Sequence, residues 1–129
     1  MILAIDPGKE KCGLAVLNPE GKVLAANIVT RLDIAKTVLN FLSQYSIQNI
    51  IIGHSASGRE VEKEISRLDL KANLIYVSEF NSTVEARRRY WQEHTPKGLW
   101  RLIPTSFRYP PVPIDDYAAI ILGERYLKG

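Results

Sequence analysis

Apolar residues along this chain change their spacing several times, and each change marks an element. Ile2 to Ile5 is a short apolar run ending at Asp6-Pro7-Gly8, and Cys12 to Leu17 is a second run rich in Leu, Ala and Val. Asn18-Pro19-Glu20-Gly21 carries turn residues, after which Lys22 to Thr30 returns as a third extended run. Short runs bounded by Pro, Gly and Asn read as strands, so the opening third is predicted to be an antiparallel meander. From Asp33, placed as an N-cap, Ile34, Val38, Phe41, Leu42 and Tyr45 recur at helical spacing and predict an amphipathic helix. Asn49 to Gly53 holds three consecutive isoleucines, too few residues for a helix and suited to a parallel strand buried on both faces.

Ser57-Gly58-Arg59-Glu60 has the Ser-x-x-Glu form of a capping box, and Val61, Ile65 and Leu68 extend it into a helix to about Leu68. Asn73 to Val77 is another short strand. Ser82-Thr83-Val84-Glu85 repeats the capping-box form and opens a helix to about His94. Residues 95–113 hold five of the seven prolines and read as a loop. From Asp115 a nearly continuous apolar run through Tyr117 to Leu122 predicts a final helix packed on the sheet. Three antiparallel strands followed by strands alternating with helices imply that the later strands lie parallel beside the first. In such sheets sites form at the carboxyl ends of the strands. Asp6 ends the first strand, Glu79 follows the last, and Asp115 starts a helix able to reach the same edge.

Composition narrows the class. With 129 residues, 46% of them hydrophobic and 24% charged, the chain has material for one domain spanning 1–129 around one core. It has no basic leader and no apolar stretch near the roughly 20 residues of a membrane span, so no membrane association and a cytoplasmic location are expected. The single cysteine, Cys12, lies within an apolar run and is expected to serve packing in a reducing compartment. A net charge of +3 permits an anionic partner without demanding one.

The order of elements and the placed acids resemble the RNase H-like superfamily, specifically the YqgF family, which includes pre-16S rRNA nucleases and candidate Holliday junction resolvases, with the RuvC resolvases more distant. Ile5-Asp6-Pro7-Gly8-Lys9-Glu10-Lys11-Cys12-Gly13-Leu14-Ala15-Val16 is similar to the family's first hairpin, with Asp6, Gly8 and Gly13 on its fixed positions. Ser78-Glu79-Phe80-Asn81-Ser82-Thr83-Val84-Glu85-Ala86 resembles the family's Asp-Glu-Arg-Leu-Thr-Thr-x-Glu-Ala segment, and Asp115-Asp116-Tyr117-Ala118-Ala119 its closing Asp-x-x-Ala-Ala helix. Ser78, Phe80, Asn81 and Ser82 depart from that pattern, and Gly53-His54-Ser55-Ala56-Ser57-Gly58 is shorter than the family's Gly-Leu-Pro loop and lacks its proline. The resemblance implies an α/β RNase H-like fold: a five-stranded mixed sheet, three antiparallel strands then two parallel, flanked by helices.

It also implies a metal-dependent endonuclease that hydrolyses phosphodiester bonds in structured RNA or branched DNA. Such chemistry uses two divalent ions roughly 4 Å apart, and hard ions such as Mg²⁺ or Mn²⁺ favour carboxylate oxygens. By the resemblance Asp6 bridges both ions, Glu79 and Asp115 each help hold one, and Asp116 is an additional or substitute ligand. Each acid also has a plain structural reading, Asp6 as a turn residue and Asp115 or Asp116 as a helix cap.

Lys9 and Lys11 flank the first acid, where they suit contact with a phosphate backbone and a solvated turn equally. Thr83 reads either as a residue that orients Glu79 or a phosphate or as the second residue of a capping box with no further role. Arg87, Arg88 and Arg89 are consecutive and fan out about 100° apart on a helix, so at most two face one ligand, with Arg87 and Arg88 taken as nucleic-acid contacts. In the proline-rich stretch Lys97, Trp100, Arg101, Phe107, Arg108 and Tyr109 interleave basic and aromatic residues, as a loop gripping unpaired bases does, while Trp100 and Phe107 also suit a cap on the core. His54, just after the buried strand, is placed either to approach the site or, by default, to serve as a satisfied polar residue of a tight turn.

Precursor rRNA and a four-way DNA junction both fit as substrates. Junction resolution requires two active sites and hence a homodimer, with Ala86, Tyr90 and Trp91 or the last helix as candidate interface residues that suit the chain's own core equally. The rival reading is a catalytically silent RNase H-like module that binds nucleic acid or protein. A nucleotide-binding relative of the sugar kinases, suggested by Asp6-Pro7-Gly8, is disfavoured because those folds clamp ATP between two lobes.

Overall fold

A computed structural model describes residues 1–80, 82–93 and 114–128. Strands β1 (Ile2–Asp6), β2 (Lys11–Leu17) and β3 (Val23–Thr30) form the expected meander. A turn of 3₁₀ helix at Arg31–Asp33 leads into α1 (Ile34–Gln44), followed by β4 (Asn49–Gly53), α2 (Ala56–Ser66), β5 (Asn73–Val77) and α3 (Ser82–Glu93). The last described element is α4 (Asp115–Lys128). The predicted 95–113 loop lies outside the described residues.

The five strands form one mixed sheet in the order β3-β2-β1-β4-β5. β1 pairs antiparallel with β2 and parallel with β4, and β4 pairs parallel with β5. This is the anticipated sheet. The triple isoleucine of β4 is buried on both faces as its composition required: Ile50 and Ile52 join one core cluster and Ile51 the other.

Period-two alternation sorts every central strand between two faces. On one face Leu3, Ile5, Cys12, Leu14, Val16, Ile50 and Ile52 pack against Ile34, Val38 and Phe41 of α1 and Val61 and Ile65 of α2. On the other, Ile2, Ala4, Ala15, Leu17 and Ile51 lie under Ala119 and Ile120 of α4. Cys12 is a free, buried packing residue, as its apolar surroundings suggested. Among the described residues no helix is long and apolar enough to cross a membrane.

Helix starts differ from the sequence-based expectation in three places. Asp33 precedes α1, but its side chain makes no capping bond: Asp33 Oδ2 accepts from the Thr30 hydroxyl at 3.1 Å instead. The α2 cap is Ser55, whose hydroxyl accepts from the Gly58 amide at 3.0 Å, so the Ser57-to-Glu60 box falls within the helix. With Ser55 in extended conformation at the helix start, Ser57 is already the second residue of α2 and no longer precedes it. Ser82 is the first residue of α3 and is buried, its amide donating to the Glu79 carbonyl at 2.9 Å, so it belongs to the helix and does not precede it as the second box required.

Arg31, not singled out from sequence, ties the site's hairpin to the sheet's far face. Its guanidinium donates to the Gly8 carbonyl at 3.1 Å and to Glu60 and Glu64 of α2 at 3.2 Å each. The β1–β2 turn is thereby held to α2.

Candidate active site

The site begins with a row across three strands. Asp6 pairs with Gly13 of β2. On its other side the β1–β4 ladder ends at Ile5 opposite Ile52, so Gly53 is the next β4 position, beside Asp6. By alternation Asp6, Gly13 and Gly53 all belong to the α4 face. A Cβ on Gly13 would stand 1.8 Å from the Asp115 carbonyl oxygen, and one on Gly53 would stand 2.1 Å from Glu79 Oε1. The two glycines therefore make the room: the first turn of α4 rests on the backbone of β2, and the Glu79 carboxyl rests on the backbone of β4. The Asp6 carboxyl stands between them.

The electrostatics follow from that crowding. Burial pushes the Asp6 carboxyl up to about 7, reinforced by the negative charges of Glu79 and Asp115 and by a hydrogen bond to Glu79. Burial also raises Glu79, opposed by the hydrogen bond it accepts from Asp6 and by the charge of His54. That Asp6–Glu79 bond requires a proton on Asp6. With both carboxyls ionised it cannot form, and Glu79 Oε1 is then a buried oxygen without a hydrogen-bond partner. Asp116 is raised by burial as well, offset by backbone amides, among them that of Tyr117 donating to its Oδ1 at 3.0 Å. Asp116 thus spends one oxygen on its own helix turn.

An orphaned buried carboxylate oxygen beside a proton-sharing pair is a place short of positive charge, and the donors are all oxygens, which suits a hard divalent ion. The acids are not drawn into a finished shell, however: among the described residues no group of three or more His, Cys, Asp or Glu side chains is close enough to hold an ion. Asp6 and Glu79 form the tight pair, and Asp115 acts on Asp6 from the first turn of α4.

The basic residues separate. Lys9 and Lys11 are exposed on the turn next to Asp6. Thr83 and Arg88 are exposed on α3. Arg87 is half-buried and already engaged in an interaction. Arg89 pairs with Glu124 of α4 at 2.6 Å, and Arg125 of α4 reaches back to Glu85 and to the Ser78 carbonyl, both at 2.9 Å. The arginine run thus includes one residue that fastens α3 to α4, in keeping with its fanning geometry. Arg101 and Arg108, with Lys97, Trp100, Phe107 and Tyr109, lie outside the described residues. Ala86 and Tyr90 are buried within the chain, with Tyr90 set edge-on to Tyr117 at 5.9 Å, so they belong to the α3 packing and not to an outer interface.

Sequence reasoning passed over Gly53 as a site residue and read His54 as a turn residue. Gly53 had a signal, a glycine closing a fully buried strand at the edge where Asp6 ends its own. His54 is exposed, with its ring 5.2 Å from that of Tyr76.

Comparison with known proteins places this arrangement. The sequence model for the Tex protein YqgF-like domain matches residues 1–97. A protein of Helicobacter pylori strain G27 named "Putative pre-16S rRNA nuclease" is 26% identical, covering 98% of this chain and 94% of that protein. Its counterpart of the same name in strain J99 is 27% identical over the same shares of the two chains. Among solved structures, Thermus thermophilus RuvC in complex with a Holliday junction substrate superposes with a TM-score of 0.63 at 13% identity, covering 98% of this chain and 94% of that one. A second Thermus thermophilus RuvC structure gives 0.57 at 14% identity, covering 99% and 96%. These likenesses identify the sheet and its helices as an RNase H-like fold.

Proposed function

Because the chain belongs to the YqgF-like domain family described for the Tex protein, we propose that it is a divalent-metal-dependent endonuclease, a single RNase H-like domain over 1–129 that hydrolyses phosphodiester bonds in structured nucleic acid. The observation that carries this reading is the Gly13–Asp6–Gly53 row, which seats two further acids against a buried carboxyl at the carboxyl edge of the sheet. A turn aspartate or a helix cap needs no such provision. The names of the relatives favour precursor rRNA, and the RuvC likeness keeps branched DNA in view.

In this reading Asp6, Glu79 and Asp115 hold Mg²⁺ or Mn²⁺, with Asp116 a reserve ligand partly committed to the Tyr117 amide. When bound, two such ions activate an attacking water and neutralise charge on the phosphate. The chain's own contribution is placement and proton state. Asp6, titrating at about 7, carries a proton for part of the time at neutral pH and must release it to act as a ligand. Glu79, lying on Gly53, is then left with an acceptor oxygen facing the ionised Asp6. Lys9 and Lys11 on the adjoining turn offer cations to the backbone of an incoming strand.

The test is cleavage of labelled precursor rRNA ends, single-stranded RNA and four-way DNA junctions in Mg²⁺ or Mn²⁺, comparing wild type with Asp6→Asn. Metal-dependent cutting abolished in the variant supports the proposal, and the preferred substrate selects RNA or junction. A second reading has its own observation: the acids of the described structure do not close a metal-binding group. A catalytically silent nucleic-acid-binding module would bind these substrates, cut none, and be indifferent to Asp6→Asn.

A further inference from the structure

One residue holds the two carbonyls on either side of Lys9. The Arg31 amide donates to the Glu10 carbonyl at 2.7 Å, and the Arg31 guanidinium donates to the Gly8 carbonyl at 3.1 Å. That guanidinium is anchored from behind by Glu60 and Glu64 of α2, at 3.2 Å each, and the side chain is only 14% exposed. Gly8 leaves the turn no slack, since a Cβ there would stand 2.3 Å from the Lys11 carbonyl oxygen. Connections between strands are ordinarily the mobile parts of a fold. This one is braced from both its backbone and its neighbours.

What the braced turn carries is two cations. Lys9 and Lys11 are exposed, and neither makes an ion pair among the described residues. Strand alternation places Lys11 on the same face as Gly13, which is the face on which Asp115 and the other acids lie. Arg31 works from the opposite side of the sheet: its partners Glu60 and Glu64 belong to α2, whose Val61 and Ile65 pack on the far core. Buried there and faced by two carboxylates, Arg31 cannot itself meet a strand lying on the acids.

We propose that Arg31 is a positioning residue for substrate binding, which fixes the β1–β2 turn from behind so that Lys9 and Lys11 stand ready for the backbone phosphates of a nucleic-acid strand entering the acid cluster. A turn fixed before binding spares the complex the cost of ordering it. The inference rests on the nuclease reading for its ligand and concerns residues outside the acid set.

The test is the salt dependence of binding to a labelled RNA hairpin with a single-stranded tail, in Ca²⁺ to suppress cutting and well below each variant's melting transition. Arg31→Lys keeps the charge but loses the planar fork that reaches Gly8 and both glutamates together. It should bind several-fold more weakly, with the slope of log affinity against log salt shallower by about 0.7–0.9, one phosphate contact. Gly8→Ala distorts the same turn without touching Arg31 or α2 and should do likewise. In a Lys9→Ala/Lys11→Ala background Arg31→Lys should change neither affinity nor slope further, because its effect passes through those side chains. In Mg²⁺ the loss should fall on KM and not on kcat, as loss of uniform binding does. A wild-type slope in both Arg31→Lys and Gly8→Ala overturns the proposal. So does an Arg31→Lys loss of equal size with and without the lysines, or a Lys9→Ala/Lys11→Ala variant that binds like wild type, or a wild type that does not bind. Those results for the variants leave the nuclease reading intact, whereas a wild type that binds and cuts nothing defeats that reading while the slopes still decide the role of Arg31.

Discussion

Beneath α1 and α2, the central strands keep large aliphatic side chains to the carboxyl edge, with Ile5, Leu14 and Ile52 all fully or almost fully buried. On the α4 face the same strands shrink toward that edge, through Ala4 and Ala15 to Gly13 and Gly53 around Asp6. One face is built for contact area. The other gives up side-chain volume so that a helix turn and a carboxyl can come down onto bare backbone. The difference explains how an acid cluster can exist inside a small sheet: the larger of the two core clusters lies on the far face, and the near face gives up its volume only at the carboxyl edge, where like charges crowd.

Breaking the near face should damage activity far more than stability, and breaking the far face should do the reverse. The largest expected effect on catalysis comes from Gly13→Val, since its side chain would meet the rigid backbone of Asp115 and Asp116 and displace the start of α4. Misplacing a reacting group by about 1 Å costs on the order of a hundredfold, so cleavage by this variant should fall at least that far, measured at a temperature where circular dichroism reports a folded protein. Ile5→Ala on the far face should cost about 2–5 kcal/mol in urea unfolding, as large-to-small core substitutions do. Its cleavage below the melting transition should stay within a few-fold of wild type. Equal losses of activity in the two variants would erase the distinction between the faces.

Gly53→Ala sharpens the contrast, because the group it meets is the end of the flexible Glu79 side chain and not backbone. The carboxyl can swing aside, so divalent-ion affinity by calorimetry should weaken with only a small change in melting temperature. A smaller signature concerns pH. Asp6 titrates at about 7 in the fold against 3.8 as its ordinary value, so the folded state binds the proton more tightly than the unfolded state. Its contribution favours folding below about pH 4, declines as pH rises toward about 7, and is constant above that. In chelator, wild-type melting temperature should therefore fall across that window, and the Asp6→Asn variant should lack this component. The smallest effect is expected from Arg88→Gln on exposed α3: a modest loss of affinity, uniform across sequences, with the salt dependence shallower by about one phosphate contact.

Much of this was legible in advance. The sheet order could be read because period-two alternation, the β4 isoleucines and the helical spacing of Ile34, Val38 and Phe41 are local signals that agree with one another. Asp6 was legible because an acid ending a strand before Pro-Gly occupies a known edge. Helix starts were less so: Ser55 and Ser57 are both plausible caps in one dimension, and only the path of the chain leaving Gly53 selects Ser55. The arginine run could be read as fanning out, but which residue would turn toward α4 depended on Glu124, 35 residues away.

What the amino-acid sequence determined by itself was therefore the set of elements, the alternation of faces and the presence of acids at strand and helix ends, since each follows from neighbours within a few positions along the chain. What only the tertiary structure decided was that Gly13 and Gly53 flank Asp6, that Asp115 and Glu79 fill the space those glycines leave, and that the resulting crowding carries Asp6 to about 7. Those facts depend on strand register and helix docking between residues far apart in sequence, where burial and charge act through space.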